Sequence, residues 1–181
     1  MGRMPPDASR ADAIRAAIRN VPDFPQPGIQ FKDITPVLAD PQLFASSVDA
    51  LSAGLSPGNI DAVVGIDARG FIFASAVALR LKAGFVPIRK KGKLPWKTLE
   101  QSYQLEYGSN TVAIHADAFR PGSRVLLIDD LLATGGTAGA AAALVAQAGG
   151  HVLRAAFLIE LTFLNGRRCL HGFPVMSVVS Y

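Results

Sequence analysis

The chain reads as an α/β domain, an open, mostly parallel twisted sheet flanked by helices. Three observations carry that reading. Short apolar runs alternate with helical stretches along most of the chain, as in repeated strand–helix–strand units. The run Val125-Leu126-Leu127-Ile128 is apolar without alternation, as in a strand buried on both faces of a parallel sheet. Two such runs, ending at Ile66 and Ile128, each deliver polar residues and a glycine to the start of a helix, and sheets of this class gather anion sites at their carboxyl edge in that way.

Composition agrees. With 181 residues, half of them hydrophobic and 18% charged, the chain holds enough apolar material for one domain with its own core. No apolar run reaches the length that spans a bilayer, and the first residues lack an apolar stretch, so neither membrane insertion nor secretion is expected. The single cysteine, Cys169, cannot form an internal disulfide, which fits a cytoplasmic protein. The net charge of +4 is concentrated between Arg89 and Lys97, where five basic residues stand without an acid. A local basic segment in an otherwise near-neutral chain points to a small polyanion, not to a nucleic-acid track.

Taken in order, Ser9 to Asn20 reads as an amphipathic helix with Ile14 and Ile18 on one face. Pro22, Pro25, Pro27 and Gly28 make Val21 to Gly28 an extended surface segment. Gln30-Phe31-Lys32 follows, an aromatic flanked by backbone groups that could clamp a planar base, although Phe31 alone reads more simply as core. Asp40-Pro41 is an N-cap with proline at N1, opening a helix to about Leu55. Asp61 to Ile66 is the first sheet strand. It ends in Asp67-Ala68-Arg69-Gly70, and a helix runs from about Phe71 to Lys82. Phe85 to Ile88 is a strand, and Arg89 to Gln101 is basic and irregular, in the manner of a mobile lid. Thr111 to His115 forms a short strand, and Pro121-Gly122 turns the chain into Val125 to Ile128.

Beyond Ile128 come Asp129 and Asp130 at the strand end, then Ala133-Thr134-Gly135-Gly136-Thr137 and an alanine-rich helix from Ala138 to Ala148. Adjacent carboxylates repel and need a cation or hydroxyl partners. The two glycines let backbone amides approach a ligand, and Thr137 is a candidate N-cap. No Gly-Lys-Ser/Thr follows the glycines and no Gly-x-Gly-x-x-Gly is present, which excludes a Walker A loop and a dinucleotide fingerprint. His151 to Leu161 is a long apolar strand, Asn165 to Leu170 a polar surface segment with one helical turn, and Val175 to Val179 the closing strand. His115, His151 and His171 show no metal-ligand spacing.

Val125 to Thr137 resembles the 5-phosphoribosyl 1-pyrophosphate (PRPP) motif of the type I phosphoribosyltransferases. From about Val21 to Tyr181 the chain resembles the adenine-specific members of that family. The resemblance implies a small hood formed by the first and last segments, with residues 1–34 holding the N-terminal helix and the base-binding segment, and a flexible lid over 89–106. It implies that Asp129 and Asp130 meet ribose hydroxyls, and that Ala133, Thr134, Gly135, Gly136 and Thr137 hold the 5′-phosphate. Asp67, Ala68, Arg69 and Gly70, with a cis Asp67–Ala68 peptide, would bind pyrophosphate together with Arg89, Lys90 and Lys93. Gln30, Phe31 and Lys32 would bind adenine, although Lys32 stands where the family pattern has arginine. Glu106, in Tyr103-Gln104-Leu105-Glu106-Tyr107-Gly108, would handle a purine proton as a catalytic residue beside Asp129 and Asp130.

The implied reaction joins adenine to PRPP, giving AMP and pyrophosphate. Mg²⁺ is the implied cofactor, held mainly by PRPP and water without a dedicated protein cage, and the implied assembly is a homodimer. Three competing readings are a phosphoribosyltransferase for a 6-oxopurine or xanthine, a non-catalytic PRPP-binding regulator, and a plain structural module. The stretch before Val21 is too short for the DNA-binding domain a regulator would add.

Overall fold

The computed structural model describes residues 7–104 and 109–181, and side chains from residue 9 onward outside the same gap. The chain divides into two compact units, residues 1–50 and 51–181.

In the first unit, helix α1 (Asp7–Ala17) is followed by an antiparallel ribbon of β1 (Arg19–Pro22) and β2 (Gln30–Asp33). The helix therefore stops earlier than expected, and Val21 and Pro22 belong to a strand. The proline-rich connection supports the ribbon, with a cis Phe24–Pro25 peptide and a bond from Gly28 N–H to Asp23 Oδ1 at 2.8 Å. Helix α2 (Thr35–Ala39) and helix α3 (Pro41–Leu51) complete the unit. Asp40 caps α3 as the sequence predicts, accepting from Gln42 N–H at 2.8 Å and Leu43 N–H at 3.0 Å. The helix ends at Leu51, short of Leu55.

The second unit is a seven-stranded sheet built from β3 (Ala62–Ile66), β4 (Gly84–Lys90), β5 (Thr98–Gln104), β6 (Ser109–His115), β7 (Ser123–Leu132), β8 (Gly150–Glu160) and β9 (Val175–Ser180). Their order across the sheet is β5-β6-β4-β3-β7-β8-β9. The five strands from β4 to β9 run parallel, and β5 and β6 form an antiparallel hairpin joined to β4. Every residue of β3 is buried, as its continuous apolar run requires. Helix α4 (Gly70–Leu81) packs on β3, β7 and β4, and helix α5 (Gly136–Gln147) on β5, β6, β7 and β8. The core gathers Ile66, Ile88, Ile114, Leu127, Leu144 and Phe157.

The strand order positions the site. The connection β3–α4–β4 moves one way across the sheet and β7–α5–β8 the other, so right-handed crossovers set the two helices on opposite faces. Between β3 and β7 the winding reverses, and both strands open their carboxyl ends into one crevice.

Four expectations change. The last segment is not part of a hood, because β9 pairs in parallel with β8. The basic stretch is irregular only from Lys91 to Lys97. Arg89 and Lys90 lie in β4, while Thr98 to Gln104 pairs with β6 in an alternating pattern that a polar sequence conceals. Strand β7 runs on to Leu132, so the acidic pair sits within a strand instead of beyond its end. The pairing of Leu131 with Ile159 and Leu132 with Glu160 draws those residues into the sheet.

Candidate active site

The crevice at the carboxyl ends of β3 and β7 holds a cavity of about 380 Å³. Asp67, Ala68 and Arg69 line it from the β3–α4 turn, Asp129, Asp130, Ala133 and Thr137 from β7 and its loop, and Lys90 and Tyr103 from the hairpin side. A smaller adjoining cavity of about 80 Å³ is lined by Asp129 and by Thr134, Gly135, Gly136 and Thr137.

The β3–α4 turn is tight, and its Asp67–Ala68 peptide is cis. Asp67 is tied down on both sides: its N–H donates to Ile88 O at 2.9 Å, and its Oδ2 accepts from Arg89 Nε at 3.3 Å. Arg89 also donates to Lys93 O at 2.7 Å. Its guanidinium thus fixes the turn and the start of the basic segment, and neither Arg89 nor Lys93 lines the cavity. Gly70 allows a close approach between the two strand ends. A Cβ there would come 2.6 Å from Asp129 Oδ1, so only glycine lets the first turn of α4 lie against that carboxylate.

The two acids are handled differently. Asp129 Oδ1 accepts from Asp130 N–H at 2.9 Å. Asp130 is buried, and Arg69 Nε lies 2.8 Å from its Oδ2 without the alignment of a hydrogen bond. Arg69 is therefore an ion-pair partner of the acids as well as a cavity-lining cation. Burial, and next the charge of Asp130, push the Asp129 carboxyl well above the usual carboxylate range. Burial also raises Asp130, against the opposing pull of Arg69.

The loop after β7, Ala133 to Thr137, runs directly into α5 and lines the smaller cavity. Gly135 takes φ +84° and is itself the N-cap of α5, so Thr137 is not the cap. Its hydroxyl donates instead to the Tyr103 phenol at 2.9 Å. Behind the loop lies a short 3₁₀ turn, Gly166–Cys169. A Cβ on Gly135 would collide with Gly166 O, and one on Gly166 with Ala133 O. Cys169 Sγ donates to Thr134 O at 3.4 Å. Arg167 in this turn is not a free surface cation: it grips buried Glu160 with two bonds, at 2.7 and 2.6 Å, and Val175 O at 2.8 Å. Tyr103 and the 166–169 turn are the site components that sequence reading missed. Tyr103 had a signal in the alternation of Thr98 to Gln104, whereas the turn lies distant in sequence from the loop it supports.

In the first unit, Phe31 is half-buried with its ring edge-on to Phe24, centroids 5.1 Å apart. Lys32 Nζ donates to Asn20 Oδ1 at 2.6 Å. Burial, and next the charge of Arg15, lower the Lys32 pKa. Glu106 lies outside the described residues.

The donor set suits Mg²⁺ in one respect. Asp129 and Asp130 offer hard oxygens, one of them buried without an aligned hydrogen-bond donor. Among the described residues no three metal-ligating side chains gather, and an ion that keeps its water and phosphate ligands needs no such group. Among the same residues, no helix is long and apolar enough to cross a membrane.

Comparison with known proteins leads to the same place. Residues 38–169 match the family model for the phosphoribosyl transferase domain. The adenine phosphoribosyltransferase of Acidothermus cellulolyticus is 57% identical over 97% of this chain and 99% of its own. The crystal structure of adenine phosphoribosyltransferase from Rhodothermus marinus is 54% identical, with TM-score 0.92, covering 96% of this chain and 99% of that one. The Saccharomyces cerevisiae enzyme, solved with D-2,5-dideoxy-2,5-imino-altritol 1,6-bisphosphate and adenine, is 41% identical with TM-score 0.89, over 94% of this chain and 99% of that one. With more than half its residues identical to the first two of these relatives over nearly the full length of both chains, this chain belongs to the adenine phosphoribosyltransferase family.

Proposed function

We propose that this crevice binds PRPP and brings it to adenine, whose N9 displaces pyrophosphate from ribose C1 to give AMP. The observation that carries this is the meeting of two turns that each lead into a helix, after β3 and β7, at cavities lined by an acidic pair. One molecule with phosphate at each end and a sugar between matches that spacing of chemistry.

In this reading each residue has a role, Glu106 by the family resemblance alone. The amides of Ala133 to Thr137, at the positive end of α5, hold the 5′-phosphate. Asp129 and Asp130 accept from the ribose hydroxyls and face the positive charge that grows at C1 as the bond to pyrophosphate loosens. Arg69, the Ala68 and Gly70 amides and Lys90 hold the leaving pyrophosphate. Arg89 and Lys93 act one step behind, by fixing Asp67 and the basic segment. Mg²⁺, when bound, would neutralise pyrophosphate charge, held mainly by PRPP and water, with Asp129 and Asp130 as the residues that would contribute oxygens. Glu106 receives or relays the purine proton.

Adenine is assigned to Gln30, Phe31 and Lys32, with the Phe31 ring stacked on the base. Adenine offers an amino group at C6 and an unprotonated N1, which backbone C=O and N–H can read; a 6-oxopurine presents the reverse. Leu161 to Gly172 offers only Arg167 and Arg168 as arginine or lysine donors for a 6-oxo group, and Arg167 is committed to Glu160. Residence in the cytoplasm and a homodimeric state belong to the same reading, the latter tested by light scattering.

The test is pyrophosphate release from PRPP and Mg²⁺ with adenine, hypoxanthine, guanine or xanthine. Adenine should give at least about 10²-fold higher kcat/KM, since reversed partners leave buried groups unpaired at about 1–3 kcal/mol each. Phe31→Ala should raise the adenine KM more than the PRPP KM. Comparable kcat/KM for hypoxanthine would overturn the base assignment.

A further inference from the structure

We propose that Tyr103 is a positioning residue for the 5′-phosphate, aiming the Thr137 hydroxyl through a chain of two hydroxyls; this rests on the assignment of the Ala133–Thr137 loop to that phosphate. Thr137 stands in the first turn of α5, and Tyr103 reaches it from β5, a contact between residues 34 apart in sequence. The two oxygens are 2.9 Å apart, and both residues line the cavity that holds the acidic pair. The phenol is held in place independently. Its ring lies against Gly136, where an added Cβ would come 3.1 Å from Tyr103 Cδ2. Two residues earlier on the same face of β5, Gln101 Oε1 accepts from Gln147 Nε2 at 2.9 Å, at the last residue of α5. One face of β5 is thereby pinned along the length of α5.

The chemistry of the pair explains why the partner is a tyrosine. In the structure Thr137 donates its proton to the phenol. A phosphate oxygen only accepts, so the Thr137 proton must turn toward it when it binds. That rotation leaves Thr137 Oγ1 facing Tyr103 as an acceptor, and a phenol can reverse and donate. The chain then runs from Tyr103 O–H to Thr137 Oγ1–H to phosphate with hydrogens alone rotating. Each bond polarises the next toward the anion. A phenylalanine would keep the ring packing and lose the chain, leaving Thr137 free to point elsewhere.

The experiment compares parent, Tyr103→Phe, Thr137→Val and the double variant. PRPP and adenine KM are measured in turnover, melting temperature by calorimetry, and ribose 5-phosphate affinity by titration calorimetry without adenine. Tyr103→Phe should weaken PRPP and ribose 5-phosphate by about two- to tenfold, the weight of one neutral hydrogen bond. The adenine KM and the melting temperature should stay near the parent values, which a merely structural tyrosine would not predict. The double variant should bind no more weakly than Thr137→Val, since the phenol then has nothing to aim. An unchanged PRPP KM in Tyr103→Phe, or two penalties that add in full, overturns the proposal. If Thr137→Val itself binds ribose 5-phosphate as tightly as the parent, the phosphate assignment of the loop fails first and takes the proposal with it.

Discussion

Gly135→Ala is the substitution whose outcome the structure specifies most fully. Gly135 sits at φ +84°, and its missing Cβ faces the Gly166 carbonyl, with Gly166 C at 2.9 Å and Cys169 Cβ at 3.0 Å. An alanine forced into the left-handed region loses about 1–2 kcal/mol. Overpacking adds about 1–3 kcal/mol, because the obstacle is backbone and not the end of a flexible side chain. The sum is about 2–5 kcal/mol. Gly122 provides the control, with φ +80° and open space where its Cβ would go. Gly122→Ala should show the conformational part alone, about 1–2 kcal/mol. Urea denaturation followed by circular dichroism measures both. The loop cannot escape the strain by sliding, since Gly166 is pressed against Ala133 O in turn. The amides of the loop must therefore move, and the PRPP KM should rise about tenfold, roughly 1.4 kcal/mol, with the adenine KM little changed. Equal destabilisation by the two alanines would refute the steric argument. A destabilised Gly135→Ala with parental PRPP KM would refute the phosphate role of the loop.

Asp129→Asn and Asp130→Asn should each lower kcat by at least about tenfold, or about 1.4 kcal/mol of transition-state stabilisation. Because the Asp129 pKa is raised, its charge opposes folding increasingly as pH climbs from the unfolded value through the folded one. Asp129→Asn at alkaline pH should thus melt no lower than the parent, and an unfolded variant whose folded fraction kept full turnover would count against the assignment. The Glu160 pKa is lowered, chiefly by its Arg167 hydrogen bonds, so its contribution is complete above the ordinary carboxylate range and lost as pH falls through the depressed value. The parent melting temperature should therefore converge on that of Glu160→Gln in acid, and parallel pH curves would contradict this. Arg167→Met should be the more harmful change, since it strands a carboxylate whose side chain is 6% exposed, whereas Glu160→Gln leaves an arginine 49% exposed. Trypsin should cut between Lys91 and Lys97 in the free protein and more slowly with PRPP and Mg²⁺; equal rates would remove the lid reading.

What the sequence disclosed and what it hid follow from range. The buried strand ending at Ile66, the Asp40 cap and the strand–turn–helix order after β3 and β7 are local patterns, and each appears where it was read. The ends of elements were less legible. Asp129 and Asp130 look like a strand terminus because charge interrupts the apolar run, yet pairing with β8 carries the strand past them. Thr98 to Gln104 is polar enough to pass for a loop, and becomes a strand because β6 supplies its partners. The function of Arg167 was hidden altogether, since its partners Glu160 and Val175 are brought beside it by β8 and β9.

The way the hairpin joins the sheet also sets a timescale. β6 meets β4 through only two register pairs, Arg89 with Ala113 and Lys90 with Val112, while β5 and β6 pair with each other along seven. By contrast, β3 and β7 join segments about 60 residues apart, and their pairing cannot be lost without dismantling the crevice. The hairpin's own ladder is thus local in sequence, and packing secures it to the domain, through Val112, Ala113 and Ile114 in the core and β5 against α5. Hairpins form in about 1–10 μs, whereas a typical enzyme turnover takes about 0.1 s. Formation of the β5–β6 ladder that carries Tyr103 is therefore fast on the scale of turnover.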